Sequence, residues 1–414
     1  MQLTKINISS LLFFILCSCT LIFSLNNVIV ASFRLLDILF IVLILFFIVT
    51  NPKVNKTLLL VLLISILVFA LSNIIGILNQ GNVDITRIAF LYKYFFIFSL
   101  PWVVVNLVKT DRQMKILNAL ILINFIFLCC WTYIYLVLLA SNIISGSWRP
   151  SFPLSTSYNQ SDAHLYASYL GLSIVYYVFY LRHFFKHNIF LSFLIILNAI
   201  IAIILTGSRT GVVLVLFSIF LYAGYSFLKF WFVRNKSIVK RKNLFFPIFF
   251  LIPIFFIALI YSPIILDLFS DYIDLIIRSF NFNLFTDLSS IGRVEKLFIG
   301  IEDAEHSSFF LGLGLFSTLT WYDGIISILI AHGGLLFLLS IITFYFLLIK
   351  KAAINSTNQK DFLLFLFMVV LYLFANVITE YIYVSRNAFP SLLMISLLFI
   401  NLSKNMKKNH ENNH

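Results

Sequence analysis

The chain alternates long apolar runs with short polar connections. Twelve such runs fall near residues 8–26, 35–50, 57–78, 88–108, 116–140, 164–181, 189–206, 211–232, 244–263, 325–349, 361–380 and 388–403. Most approach the roughly 20 residues that carry a helix across a hydrocarbon core. Apolar positions follow one another without strict alternation, which argues against a β-barrel. Backbone polar groups in lipid must be paired within their own segment, so each run is expected to be a helix and no strand is expected. The pattern predicts an all-α polytopic integral membrane protein with twelve transmembrane helices, residues 1–414 forming one membrane domain.

Two connections are long. Residues 141–163 are rich in Ser and Asn, carry two prolines and set Arg149 beside Trp148. Such a loop suits sugar binding by stacking and hydrogen bonding, or a passive connection. Residues 264–324 hold dense charge. Within them Leu266, Phe269, Ile273, Ile276, Ile277 and Phe280 recur at helical spacing, with Asp267, Asp271, Asp274 and Arg278 opposite. That is the signature of an amphipathic helix lying on a membrane interface. Asp274 and Arg278 are four apart and able to pair along it. A second helix is expected after Ser289-Ser290, either serine serving as N-cap. Its apolar side is Ile291, Val294, Leu297, Phe298 and Ile301, and Arg293 and Lys296 are expected to point together away from that side. His306 and the acids Glu302, Asp303 and Glu305 follow near the helix end.

Composition reinforces this layout. Of 414 residues, 61% are hydrophobic and 11% charged, against about 25% charged in a soluble domain. A net charge of +13 would suggest nucleic acid in a soluble protein, but its distribution gives another reason. If connections alternate between sides, one side collects 20 of the 29 basic residues, 16 of them Lys. By the positive-inside rule that side is cytoplasmic, both termini included, and no nucleic-acid partner is expected. The opposite side carries Arg34, Arg87, Arg149, Arg209, Arg278, Arg293, Lys296 and Arg386. Topology does not account for arginine there, and arginine is the side chain suited to forked binding of phosphate and carboxylate. Asp37 and Lys93 fall within runs, where pairing with Arg34 and snorkelling to the outer end are the simplest readings. Lys5 and the apolar run from Leu11 resemble a signal peptide, but no small-residue cleavage site follows, so an uncleaved first helix is expected. Cys17, Cys19, Cys129 and Cys130 lie inside apolar runs and read as packing residues.

The chemistry these residues allow is narrow. The chain has no P-loop, no HExxH and no Gly-rich dinucleotide turn. His183 and His187 are four apart but sit among Arg182 and Lys186, which disfavours a metal. No cofactor and no metal site is expected. What remains is chemistry on an anionic substrate outside the cytoplasm. Transfer of a glycan from a lipid diphosphate needs cations on the departing oxygens, which Arg209, Arg278 and Arg293 would supply. A general base for the acceptor hydroxyl is available in Asp323 or His306.

These residues also resemble a family. Thr206-Gly207-Ser208-Arg209-Thr210-Gly211 is similar to the junction between two spans in the O-antigen polymerase and ligase superfamily. Ser290-Ile291-Gly292-Arg293 resembles its helix start in the large periplasmic loop, and Gly312-Leu313-Gly314 its G-x-G segment. Asp323-Gly324, nine residues, then Gly334 matches the frame of the ligase's His-Asn-x9-Gly motif, with Asp in place of the histidine. That departure favours the polymerase over the ligase. The resemblance implies a GT-C-like fold in the bacterial inner membrane and metal-independent polymerisation of undecaprenyl-diphosphate-linked repeats into O-antigen or capsular polysaccharide. Arg209 and Arg293 would bind the diphosphates and Asp323 would orient or deprotonate the acceptor hydroxyl. Arg278, Lys296, Arg149 and His306 would contact substrate. Expected partners are the undecaprenyl-linked donor and acceptor, membrane lipid and a chain-length regulator protein. The alternatives are an O-antigen ligase and a lipid-linked oligosaccharide flippase.

Overall fold

A computed structural model describes residues 5–25, 28–30, 33–50, 56–80, 88–144, 149–153, 160–232, 288–317, 325–356, 359–378 and 385–411. The N-terminal half builds α1 (Lys5–Ile22), α2 (Leu35–Thr50), α3 (Lys56–Gln80), α4 (Ile88–Leu107) and α5 (Asp111–Ala140). Next, α6 (Gln160–Tyr176) runs through a π-helical turn, Tyr177–Leu181, into the short α7 (Arg182–Phe184), and α8 (Ile189–Leu205) and α9 (Arg209–Phe232) follow. The C-terminal part holds α10 (Leu288–Ser307), α11 (Ile325–Asn355), α12 (Gln359–Ile378) and α13 (Ser385–Glu411). A helix occupies every predicted apolar run except 244–263, which lies outside the described residues, as does the interfacial helix expected around 266–280. One expectation needs correcting. Two short antiparallel strands, β1 (Val28–Val30) and β2 (Phe33–Arg34), form a ribbon that leads into α2.

Two helices are long and apolar enough to cross a membrane, Asp111–Ala140 and Ile325–Ile354. Shorter apolar helices include Leu35–Thr50, Ile189–Leu205 and Asn387–Ser403. The core centres on α6 and α13: Leu165–Tyr177 and Ala388–Ile400 are buried throughout. Tyr166, Tyr169, Tyr176 and Tyr177 put four tyrosines on one buried helix. A phenol inside an apolar bundle needs a partner. Tyr176 donates to Asn118 Oδ1 on α5 at 2.7 Å, Tyr166 donates to the Leu128 carbonyl, and its oxygen lies 2.9 Å from Thr132 Oγ1. Asn124 Nδ2 donates to the Thr20 carbonyl at 2.7 Å, and Asn387 Nδ2 to the Leu165 carbonyl at 2.7 Å. Such bonds fix which apolar helix lies against which, since burial alone discriminates little among faces this greasy.

Asp37 is fully buried in the first turn of α2. Its Oδ2 accepts the backbone N–H of Arg34 at 2.9 Å. This is the third-residue half of a capping box, which explains a carboxylate at a helix start.

Candidate functional site

The six residues Thr206–Gly211 turn the chain from α8 into α9, and five of them have evident structural work. Thr206 caps α8, its Oγ1 donating to the Ile203 carbonyl at 2.6 Å and accepting from the Ser208 N–H at 3.2 Å. Gly207 takes φ +60°, the left-handed conformation that ends helices and suits a residue without Cβ. The Ser208 and Thr210 hydroxyls lie 2.8 Å apart. Gly211 lets α9 close on α6, where an added Cβ would come within 2.8 Å of the Ala167 Cβ and 2.9 Å of its carbonyl. Arg209 alone of the six is not fully buried.

Arg149 reaches this turn from the loop after α5 and is itself buried. Its Nε donates to the Thr206 carbonyl at 2.9 Å and an Nη to the Gly207 carbonyl at 3.4 Å. The loop is pinned around it: Trp131 Nε1 donates to the Ser151 carbonyl at 2.8 Å, and Phe152 meets Tyr166 edge-on at 5.1 Å. The two arginines therefore have opposite electrostatic positions. Arg149 sits on the carbonyl end of α8, where a cation complements the helix dipole. Arg209 is the first residue of α9, at an end that already carries partial positive charge and has no acid in its first turn. A cation there stands against the helix dipole. Together with the amides of a helix start, it suits an anion.

Removing Arg149 orphans two buried carbonyls. Arg149→Ala should cost about 1.5–3 kcal/mol of stability, the range for hydrogen bonds to charged groups. Arg149→Lys should recover only part, because an ammonium lacks the fork that spans two acceptors. Thermal unfolding in detergent measures both.

A second polar centre lies where α11 is broken. Gly334 has φ +69° and ψ −175°, and the helical ladder stops there. Four backbone groups at the break find partners outside the helix. The Leu335 and Leu336 N–H groups would ordinarily bond to the Ala331 and His332 carbonyls. They donate instead to the Phe309 and Phe310 carbonyls at 3.0 and 3.2 Å. The freed Ala331 carbonyl accepts the Leu313 N–H at 2.7 Å, and the freed His332 carbonyl accepts Ser72 Oγ at 2.7 Å. Residues 308–317 thus thread into the break as a re-entrant segment. Gly312 and Gly314 make room for it: a Cβ would lie 2.6 Å from the Ile330 carbonyl at the first and 2.8 Å from the Ser72 carbonyl at the second. Asn73 Oδ1 accepts the Leu315 N–H at 2.8 Å and the Phe316 N–H at 3.3 Å. His332 is buried, and its Nδ1 lies 2.5 Å from the Tyr94 hydroxyl.

This segment anchors α10. Asn79 Nδ2 donates to Ser307 Oγ at 3.0 Å at the end of α10. Gly300 packs on Ser327, where a Cβ would come within 2.8 Å of that side chain. The expected faces of α10 need correction. It begins at Leu288, so Ser289 and Ser290 lie in its first turn rather than before it. Its packed line runs through Gly300 and Ala304, and Lys296, one turn earlier on that line, is half-buried. Phe298 and Ile299 are exposed. Helical periodicity over 288–301 pointed to the bulky residues as the core side, but a close helix crossing selects the small ones.

The structure therefore brings Arg149 and Arg209 to one turn and seats Lys296 on α10, with His306 exposed in its last turn. Arg293 falls within α10, and its side chain lies outside the description; Arg278 and Asp323 lie outside the described residues. Tyr94, Ser72, Asn73 and His332 carry no motif that marks them in the sequence; the signal that points to them is the Gly333-Gly334 pair inside an apolar run. Among the described residues, His, Cys, Asp and Glu side chains form no group of three. Comparison with protein-family models, with characterised proteins and with solved structures finds no match.

Proposed function

We propose that the chain is a multi-pass inner-membrane glycosyltransferase that polymerises undecaprenyl-diphosphate-linked oligosaccharide repeats on the periplasmic face. The observation that carries the reading is the placement of Arg209 at the start of α9, on a turn held by the buried Arg149. A diphosphate leaving group needs fixed positive charge at the departing oxygens, and a forked cation beside helix-start amides supplies it. Arg293 and Lys296 on α10 are the second set of cations, and Asp323 is the residue assigned to the acceptor hydroxyl. The membrane setting rests on bulky apolar side chains left outside the bundle, such as Val49 at 81% and Leu78 at 77% exposure, which water would disfavour and lipid would not.

The break in α11 favours a second reading, transport, because interrupted helices also build substrate sites in carriers. Arg293→Ala separates the two in cells. Polymerisation predicts loss of long glycan with single repeats still reaching the surface. Loss of every surface repeat would indicate flipping, and an intact lipid-linked ladder that fails only to reach its final acceptor would indicate a ligase.

A further inference from the structure

The strongest feature outside the arginine turn is the buried cluster at the break in α11. The re-entrant segment 308–317 joins α10 to the bundle through main-chain bonds at Ala331, Leu335 and Leu336, and through Asn73. Four of the residues at this break, Ser72, Asn73, Tyr94 and His332, are buried polar side chains contributed by three different helices. Non-helical backbone inside an apolar bundle persists only where every freed group finds a partner. His332 contributes twice: its carbonyl takes Ser72 Oγ and its Nδ1 faces the Tyr94 hydroxyl. The ring is also held edge-on against Tyr94, which packs on Phe69 and Phe337.

We infer that His332 is a positioning residue: its Nδ1 pairing with Tyr94 sets the break in α11, the break seats the re-entrant segment, and the segment holds α10 and its cations in register with the bundle. The chain of contacts is continuous from Tyr94 through His332 and Ala331 to Leu313, and from Phe309 and Phe310 back to Ser307 at the end of α10. Gly300 on Ser327 closes the loop of contacts at the other side. The helix that carries Lys296 and Arg293 packs along α11 and is held further at Gly300 and at its C-terminal end. For the reaction proposed above, on which the catalytic part of this inference rests, that rigidity serves substrate binding: loosening it should raise KM for the lipid-linked repeat.

The geometry dictates the substitutions. Asn presents its amide oxygen near the place of Nδ1, whereas Gln presents its amide at the place of Nε2. His332→Asn should therefore keep the Tyr94 partner and His332→Gln should lose it. Tyr94→Phe removes only the hydroxyl and serves where His332→Ala does not fold. Hydrogen–deuterium exchange is followed at residues 309–316 of the full chain in lipid nanodiscs, with KM and kcat measured on a lipid-linked repeat. His332→Ala, His332→Gln and Tyr94→Phe should each speed exchange in that segment by about tenfold, the opening expected when one buried hydrogen bond is lost. KM should rise with them, and His332→Asn should stay near wild type in both. Unchanged exchange in Tyr94→Phe, or Gln substituting as well as Asn, overturns the positioning role. Faster exchange with unchanged KM overturns its link to substrate. If the wild-type chain polymerises nothing, the functional reading fails while the exchange result still decides whether His332 holds the segment.

Discussion

Replacing Arg209 with alanine should remove polymerising activity by at least about 100-fold, the loss typical of deleting one fixed charge from a transition-state anion site. The protein should nevertheless fold. Arg209 stands at the positive end of α9, so its loss also relieves an unfavourable charge–dipole contact, and it should cost less stability than Arg149→Ala. Arg149→Ala at the same turn removes a guanidinium that holds two buried carbonyls. Arg209→Lys should keep charge but lose the fork, leaving activity about tenfold down. Glycan ladders and unfolding curves from the same preparations measure both effects. An Arg209→Ala protein that polymerises normally, or that unfolds as readily as Arg149→Ala, would show that the turn is structural throughout.

The second large effect is on folding. Gly334→Ala should deplete folded protein, because two costs coincide there. The backbone at φ +69° and ψ −175° is a region that only glycine occupies without strain of about 1–3 kcal/mol. An added Cβ would also run into the Phe310 carbonyl and the Leu311 nitrogen, which are backbone and cannot swing aside. Overpacking of that kind adds about 1–3 kcal/mol. The sum is comparable to a large part of the net stability of about 5–15 kcal/mol that an ordinary domain possesses. Gly171→Ala is the control. It sits in the regular helix α6 with no positive φ, its Cβ would lie 3.3 Å from the Gly211 carbonyl and the Leu214 Cβ, and its effect should be well below that of Gly334→Ala. Yield of monodisperse protein and its thermal midpoint distinguish the two variants.

The apolar runs were legible because helix formation in so greasy a chain is forced by length and continuity, and the described helices follow them closely. The turn at 206–211 was legible as a group of small and polar residues around one arginine. Its internal division was not. Nothing in the sequence says that Arg149, distant along the chain, holds two carbonyls of that turn. Nor does helical periodicity predict the packed face of α10, since Phe298 is exposed while Gly300 and Ala304 carry the contact. Close approach rewards the absence of a side chain, which a hydrophobic count scores as nothing. The break in α11 was hidden for the same reason. An apolar run reads as one uninterrupted helix until the backbone partners of Ala331, His332, Leu335 and Leu336 are counted. The β1–β2 ribbon escaped because its strands are only three and two residues long.

Glycan transfer by the purified chain is the most direct test of the proposed polymerisation. Full-length protein in proteoliposomes, supplied with a defined undecaprenyl-diphosphate-linked repeat and EDTA, should yield a ladder of lipid-linked multimers with release of undecaprenyl diphosphate. The ladder should vanish with Arg209→Ala. Monomeric repeat recovered unchanged from the wild-type reaction, or a ladder that forms equally well with Arg209→Ala, would contradict it.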